Sequence, residues 1–156
     1  MTITVERPTL TAPRTLISPD LFDRLTARIR VDHPERADIA EQIMEQALAF
    51  LAACSTRPDA RLAPSELVDI GWHTFILYTR EYAEFSQRTA GRFIHHRPED
   101  PGRPSTGSTA AATVAVMRDL GLPVIADLWA HPADCTGSGT GKCSQCHQGC
   151  TDSPTK

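Results

Sequence analysis

The sequence predicts a mainly α-helical protein, a compact bundle of about five helices followed by an irregular, Cys/His-rich C-terminal tail. Apolar residues recur three and four positions apart in several consecutive stretches, which is the periodicity of helices with one buried face. Helix-start signals precede these stretches, and no alternating pattern is long enough for a substantial sheet. At 156 residues and 40% hydrophobic, the chain is long enough for one domain with its own core.

Composition divides the chain into three parts. Residues 1–17 form a Thr/Pro-rich arm, and residues 18–129 carry the helical periodicity. Residues 130–156 contain no Val, Ile, Leu, Met, Phe, Trp or Tyr. Such a tail cannot bury enough apolar surface to offset the entropy lost on ordering. We therefore expect a helical domain over 18–129. The tail is expected to be disordered unless something other than an apolar core orders it.

The first two helices are predicted from serine–proline and histidine–proline pairs. Ser18 is expected to cap a helix that runs to about Val31, since proline at the first helical position has no N–H to lose. A second start is predicted at His33, and a stop follows at Arg57. Between them runs an apolar stripe, and Gln46 with its acidic neighbours is expected to face away from it.

The third helix is expected to begin at Ser65 and to be the most buried of the bundle. Apolar residues cover most of its circumference between Leu67 and Tyr78, a pattern typical of a central helix. We expect four side chains in the core of the bundle: Phe50, Ile70, Phe75 and Leu77.

Two further helices complete the predicted bundle. Thr79 is expected to cap a helix that closes near Gly91, and a Pro/Gly-rich loop follows over residues 99–107. Ser108 then opens a last amphipathic helix that ends at Gly121, because glycine readily takes the left-handed conformation that terminates helices. Residues 124–129 are expected to lay one more apolar patch on the bundle.

Charge and hydropathy narrow the classes of partner. The chain has 16 basic and 19 acidic residues, with a net charge of −3, whereas a general nucleic-acid binder needs a basic surface. Its apolar stretches are too short to span a bilayer. The N-terminus shows no basic region followed by an apolar one, so we expect no secretory signal and a cytoplasmic location. The expected partner is therefore a protein, with no nucleic acid and no membrane.

The strongest local motif lies in the tail, where Cys143, Cys146, His147 and Cys150 follow Cys135. In a reducing compartment, clustered cysteines are more typical of metal ligands than of disulfides. Two cysteines with two residues between them form a knuckle that holds one metal. Cys150, together with Cys135 or His147, would complete the tetrahedral set of thiolates and imidazole that zinc favours. Zinc binding would also supply the ordering energy that the tail lacks.

Three other interpretations of the tail stay open. It could be an unstructured segment with free thiols. Residues 143–147 also spell C-x-x-C-H, the attachment motif of c-type haem, although no export signal or apolar crevice accompanies it. C-x2-C-x3-C matches the end of a bacterial ferredoxin run for an iron–sulfur cluster, but lacks the preceding Cys and the trailing Pro. The lone Cys54 lies outside the tail and is expected to behave as a small apolar side chain.

A second candidate site combines the predicted third helix with the segment after the fourth. Asp69 and His73 lie four residues apart and so share one helix face. His95 or His96 would complete a metal or acid–base centre in the helical core. The alternative is structural, with Asp69 and His73 buried and hydrogen-bonded to each other or to nearby backbone.

Residues 68–85 carry an Asp (Asp69), a Trp–His pair (Trp72 and His73), an aliphatic step and then Tyr78. This run resembles the signature of the glycine-rich domain-containing protein family, and residues 91–98 resemble the segment that follows it in small bacterial relatives. The resemblance covers about residues 60–98. It implies a helical domain and names no reaction, and the chain lacks the long glycine-rich region of the plant members.

No phosphate-binding loop, dinucleotide fingerprint or nucleophile elbow is present in the sequence. Whether the chain catalyses any reaction therefore stays open. Our first hypothesis is a small cytoplasmic zinc-binding helical protein that acts as an interaction or accessory domain. The alternative is a metalloenzyme or biosynthetic accessory factor that uses the Asp/His centre in the helical core.

Overall fold

A computed structural model of the chain describes residues 12–97 and 109–130 and shows a bundle of helices. The mainly α fold is as predicted, and the described residues contain no β-strand. One 3-10 helix (Pro13–Leu16) precedes the bundle and another (Pro34–Ile39) joins its first two α-helices. The α-helices are α1 (Pro19–Asp32), α2 (Ala40–Thr56), α3 (Glu66–Leu77), α4 (Thr79–Ala90), α5 (Ala110–Asp119) and α6 (Ala126–Trp129).

Three hydroxyl side chains cap the N-termini of helices. Ser18, Ser65 and Thr109 each accept the backbone N–H three residues further along, at 3.1 to 3.2 Å. These bonds satisfy N–H groups that have no partner within the helix. The caps of α1 and α3 are confirmed, whereas α5 is capped by Thr109; the predicted start at Ser108 lies outside the described residues.

Two glycines end helices in the left-handed conformation. Gly91 follows α4 with φ of 66°, and Gly121 follows α5 with φ of 74°. After α5, the N–H groups of Gly121 and Leu122 return to carbonyls of the last helical turn at 3.0 and 2.9 Å. This is the Schellman arrangement, and it confirms the predicted stop at Gly121.

The start signal at His33 opens a 3-10 helix rather than the α-helix that we expected there. The 3-10 turn continues to Ile39, and α2 begins only at Ala40. No side-chain cap marks the beginning of either helix. A tight 3-10 turn is a common connector into an α-helix, and the histidine–proline signal does not distinguish the two helix types.

The most buried helix is α2, and the prediction that residues 67–78 hold this place is wrong. Every residue from Ala47 to Ala53 is buried. Its neighbours include α1, α3, α4, α5 and the 3-10 helix of residues 13–16, which comes from the segment assigned to the N-terminal arm. Many of the α2 side chains are alanine, which lets other helices approach from several directions.

The helix α3 is buried on one face only. Its buried face consists of Val68, Gly71, Trp72 and Phe75, together with Thr74. The core assignments of Phe50 and Phe75 are confirmed. Ile70 is half-buried, and the assignment of Leu77 to the core is wrong because 62% of this residue is exposed. Apolar residues around most of the circumference of α3 therefore did not indicate that this helix is central in the bundle.

Close packing of α3 on α2 depends on Gly71. A Cβ atom at this position would lie 2.7 Å from Ala47 Cβ and 3.0 Å from the carbonyl oxygen of Ile43. Real Cβ atoms do not approach other atoms this closely, so the two helices meet across a bare glycine. The approach holds α3, which carries Asp69 and His73 on another face, close against the central helix.

Gln46 is buried, in contrast to the prediction that it faces away from the apolar stripe. Its Oε1 accepts the N–H of Ile125 at 3.0 Å and the indole N–H of Trp129 at 2.7 Å. Its Nε2 donates to the carbonyl of Pro123 at 3.1 Å. This amide joins the apolar segment of residues 123–129 to α2, and α6 packs on the bundle as expected, against α3 and α5.

Cys54 lies half-buried near the end of α2. Burial raises the pKa of its thiol to about 12, and the charge of Arg92 offsets only part of that effect. The thiol therefore stays protonated at neutral pH and packs as a small apolar side chain. Within the part of the chain that the structure describes, no helix has the length and apolarity to cross a membrane.

We expect the parent protein to lose stability faster than a Cys54→Ala variant as the pH rises above about 9. In the unfolded chain the thiol ionises near its ordinary pKa of 9.0, whereas the folded chain keeps the proton until about 12. Between these values the unfolded state is increasingly favoured, by up to about 1.4 kcal/mol per pH unit. Urea titrations of both proteins across this range would measure the difference, and parallel pH profiles would contradict the raised pKa.

Candidate metal centre

Two of the candidate ligands project from one face of α3. The Ser65 hydroxyl caps this helix and also donates to the carbonyl of Leu128 at 2.5 Å. The start of α3 is thereby joined to α6. Asp69 and His73 follow on successive turns, four residues apart, so that their side chains lie next to each other.

The third ligand comes from the segment that follows α4. Beyond Gly91 the chain runs without regular structure through residues 92–97. Exposure alternates along it, with Ile94 buried, His95 exposed and His96 half-buried. Because successive side chains of an extended segment point in opposite directions, His96 shares the inward side with Ile94.

The Asp69 carboxylate lies between the two imidazole rings. Its Oδ1 is 2.8 Å from His96 Nε2 and its Oδ2 is 3.0 Å from His73 Nδ1. The same His73 nitrogen is 3.1 Å from the backbone carbonyl oxygen of Asp69. Carboxylate and carbonyl oxygens only accept hydrogen bonds, so both ring nitrogens donate here. The three ligand atoms all lie within 4.8 Å of one another.

One side of the cluster packs on an aromatic ring, and the other side faces solvent. The His96 ring packs on Trp72, with ring centroids 4.4 Å apart, and lies 4.2 Å from the His73 ring. The exposed fraction is 16% for the His96 side chain, 31% for Asp69 and 59% for His73. A metal ion bound to these three residues would keep coordination positions directed toward solvent.

The expected position in the helical core is wrong for both interpretations of this cluster, whereas the hydrogen bond between Asp69 and His73 that the structural interpretation expects is present. His73 is exposed, and water reaches the carboxylate. The three potential ligand atoms lie together at an accessible surface, where a metal ion could reach them.

His95 does not join this cluster. Its side chain is exposed and its ring packs against that of Phe93, with centroids 4.9 Å apart. The sequence left the choice between His95 and His96 open, and only the direction of the 92–97 segment separates them. The candidate tail ligands Cys135, Cys143, Cys146, His147 and Cys150 lie outside the described residues.

Sequence reasoning missed two residues that shape the site. These are Trp72 and Tyr82: the indole N–H of Trp72 donates to the Tyr82 hydroxyl at 2.9 Å. That hydroxyl donates in turn to the carbonyl of Ile94 at 2.6 Å. The Trp72–His73 pair was the available signal, because it places an indole directly beside a ligand.

A comparison with protein-family models finds a match to the UCP032817-like model over residues 14–110. The matched range includes Asp69, His73 and His96 and ends before the Cys/His-rich tail. No curated protein and no solved structure matches the chain. Because the model covers more than half of the 156 residues, this chain belongs to the UCP032817-like family.

Proposed function

We propose that this chain is a metal-binding accessory protein that holds one divalent transition-metal ion at Asp69, His73 and His96. The observation that carries the proposal is the convergence of one carboxylate and two imidazoles within 4.8 Å at an accessible surface. A protein partner or a small ligand would occupy the open coordination positions. The resemblance to glycine-rich domain-containing proteins spans these residues and adds no reaction.

The donor set favours zinc as the ion. Two imidazoles and a carboxylate bind Zn²⁺ at about 2.0–2.2 Å, and zinc sites with three protein ligands keep one position open. Ligand atoms of such a site lie about 3.4 Å apart. The two oxygen–nitrogen separations of 2.8 and 3.0 Å would widen slightly on binding, and the two ring nitrogens, now within 4.8 Å, would adopt the same spacing. Fe²⁺ uses the same ligand types and is the competing ion. Either ion would displace the hydrogens that the two rings now share with Asp69.

The exposure of His73 favours an accessory role over catalysis. In the described part of the chain, two surface hollows of about 600 and 390 Å³ are lined by residues other than the three ligands. An enzyme site usually lies in a cleft that surrounds its substrate, whereas His73 projects from the surface of α3. The metalloenzyme remains the second candidate, because the open coordination positions are also what metal catalysis requires.

The Cys/His-rich tail is proposed as a second zinc site, on the spacing of Cys143, Cys146 and Cys150. The described chain ends at Ala130, next to α6, which is hydrogen-bonded to the start of α3. The carbonyl of Leu128 is thus joined to Ser65, which lies one helical turn before Asp69 in α3. A zinc-bound tail would serve to dock a protein partner.

Removing His96 is expected to abolish tight zinc binding at the centre formed by Asp69, His73 and His96. We expect His96→Ala to weaken zinc binding by about 100-fold or more, since loss of even an indirect contact to a metal site costs 10- to 100-fold. His95→Ala is the matched control, because the neighbouring ring is exposed and does not touch the centre. Both variants would carry Cys143→Ser and Cys146→Ser, so that the tail motif does not contribute to isothermal titration.

Equal zinc affinity in the His96→Ala and His95→Ala variants would contradict the proposed site at Asp69, His73 and His96.

Cobalt spectra of the chain with its tail cysteines intact distinguish this site from the proposed tail site. Thiolate ligands give intense charge-transfer bands, and imidazole and carboxylate ligands give only weaker d–d bands. A chain that binds metal only when Cys143 and Cys146 are present would leave the tail as the sole site.

A further inference from the structure

We propose that Tyr82 is the positioning residue of the metal centre, because one buried hydroxyl holds both groups that place His96. This inference rests on the proposed metal site at Asp69, His73 and His96. Of the three ligands, Asp69 and His73 are carried by the rigid helix α3, whereas His96 lies on a segment without regular structure. The position of His96 relative to the other two ligands therefore depends on the contacts that hold this segment in place.

The Tyr82 hydroxyl makes two hydrogen bonds in the interior. It accepts the indole N–H of Trp72 at 2.9 Å and donates to the Ile94 carbonyl at 2.6 Å. Tyr82 is fully buried, and the side chains of Trp72 and Ile94 are also buried. Burial raises the pKa of Tyr82, so the hydroxyl keeps the hydrogen that it donates.

The first of these bonds orients the ring on which His96 rests. The Trp72 indole packs between Phe50, at a centroid distance of 5.1 Å, and His96, at 4.4 Å. Fixing the indole N–H removes rotation of this ring about its side-chain bonds. The imidazole of His96 consequently packs on a ring whose position is fixed.

The second bond fixes the backbone two residues before His96. In an extended segment the side chains of Ile94 and His96 point to the same side, so a shift at Ile94 carries the imidazole with it. Arg92 adds a contact to the carbonyl of Cys54 at 3.1 Å, but its side chain is exposed and four residues from the ligand. The bond from Tyr82 is both closer to His96 and shielded from water.

We expect Tyr82→Phe to weaken zinc binding by 10- to 100-fold, the range typical of residues that orient metal ligands. The phenyl ring retains its edge contacts with Phe75 and Phe93, so the bundle should still fold. Isothermal titration with zinc, on parent and variant proteins that all carry Cys143→Ser and Cys146→Ser, would measure the affinity without the tail motif. Nuclear Overhauser contacts between the His96 and Trp72 rings, recorded on metal-free protein, should weaken in the variant.

Phe85→Leu is the matched control, because Phe85 is buried on the same helix and makes no hydrogen bond to the 92–97 segment. It should lower stability while retaining zinc affinity and the His96–Trp72 contacts. If Tyr82→Phe does not fold, Trp72→Phe breaks the same hydrogen-bonded chain at its other end and should weaken zinc binding about 10-fold.

If Tyr82→Phe binds zinc as tightly as the parent protein and keeps the His96–Trp72 ring contacts, the proposed role of Tyr82 is wrong. The proposed metal centre would be unaffected by that result. If Phe85→Leu weakens zinc binding as much as Tyr82→Phe does, the effect comes from a general loss of stability and the inference is wrong. A parent protein that binds no zinc would overturn the proposed metal centre itself. The failures of the two proposals are thus distinguishable.

Discussion

Replacing Phe75 by alanine is expected to lower the free energy of unfolding by about 3–5 kcal/mol. Phe75 has no exposed surface, and its ring makes an edge contact with Tyr82 and a tilted contact with Phe85, at centroid distances of 5.2 and 5.1 Å. Truncation removes the transfer free energy of the ring and leaves a cavity between α3 and α4 that rigid aromatic neighbours cannot fill. Urea titration followed by far-ultraviolet circular dichroism would measure the loss.

Leu77 provides the control for this experiment, because it lies two residues further along the same helix and is mostly exposed. We expect Leu77→Ala to change the free energy of unfolding by less than about 0.5 kcal/mol, as for surface positions in general. The sequence alone predicted both side chains to be in the core. Equal destabilisation by the two substitutions would contradict the orientation of α3 described above.

Replacing Gln46 by leucine is expected to lower the free energy of unfolding by about 2–4 kcal/mol, although leucine is similar in size and more apolar. The substitution leaves the N–H groups of Ile125 and Trp129 and the carbonyl of Pro123 without their partner. An unpaired buried polar group costs about 1–3 kcal/mol, and some of this cost is relieved if the 123–129 segment detaches. Urea titration would give the energy, and a red shift of tryptophan fluorescence would report exposure of Trp129.

Gln42 is the matched control for this substitution, since it is a glutamine one turn earlier on α2 and is exposed. Gln42→Leu should alter stability by less than about 0.5 kcal/mol. A Gln46→Leu protein as stable as the Gln42→Leu protein would show that the three hydrogen bonds contribute little beyond the apolar contacts of α6.

The helices that could be predicted are those whose ends are encoded by neighbouring residues. Serine caps at Ser18 and Ser65 and glycine stops at Gly91 and Gly121 act through bonds or backbone conformations within a few positions, so local sequence is sufficient to locate them. The same holds for the pairing of Asp69 with His73, because four residues on a helix always return a side chain to the same face.

What the sequence by itself determined is thus a helical protein with an Asp–His pair on its third helix. Only the tertiary structure decided which helix is central, that Gln46 is inside and Leu77 outside, and that His96 rather than His95 meets Asp69. Each of these depends on contacts between residues distant in the sequence: the amide of Gln46 with residues 123–129, the bare backbone of Gly71 on α2, and the Tyr82 hydroxyl with Ile94. Periodicity specifies that a helix has an apolar face, but the direction of that face is set by the partner that packs against it.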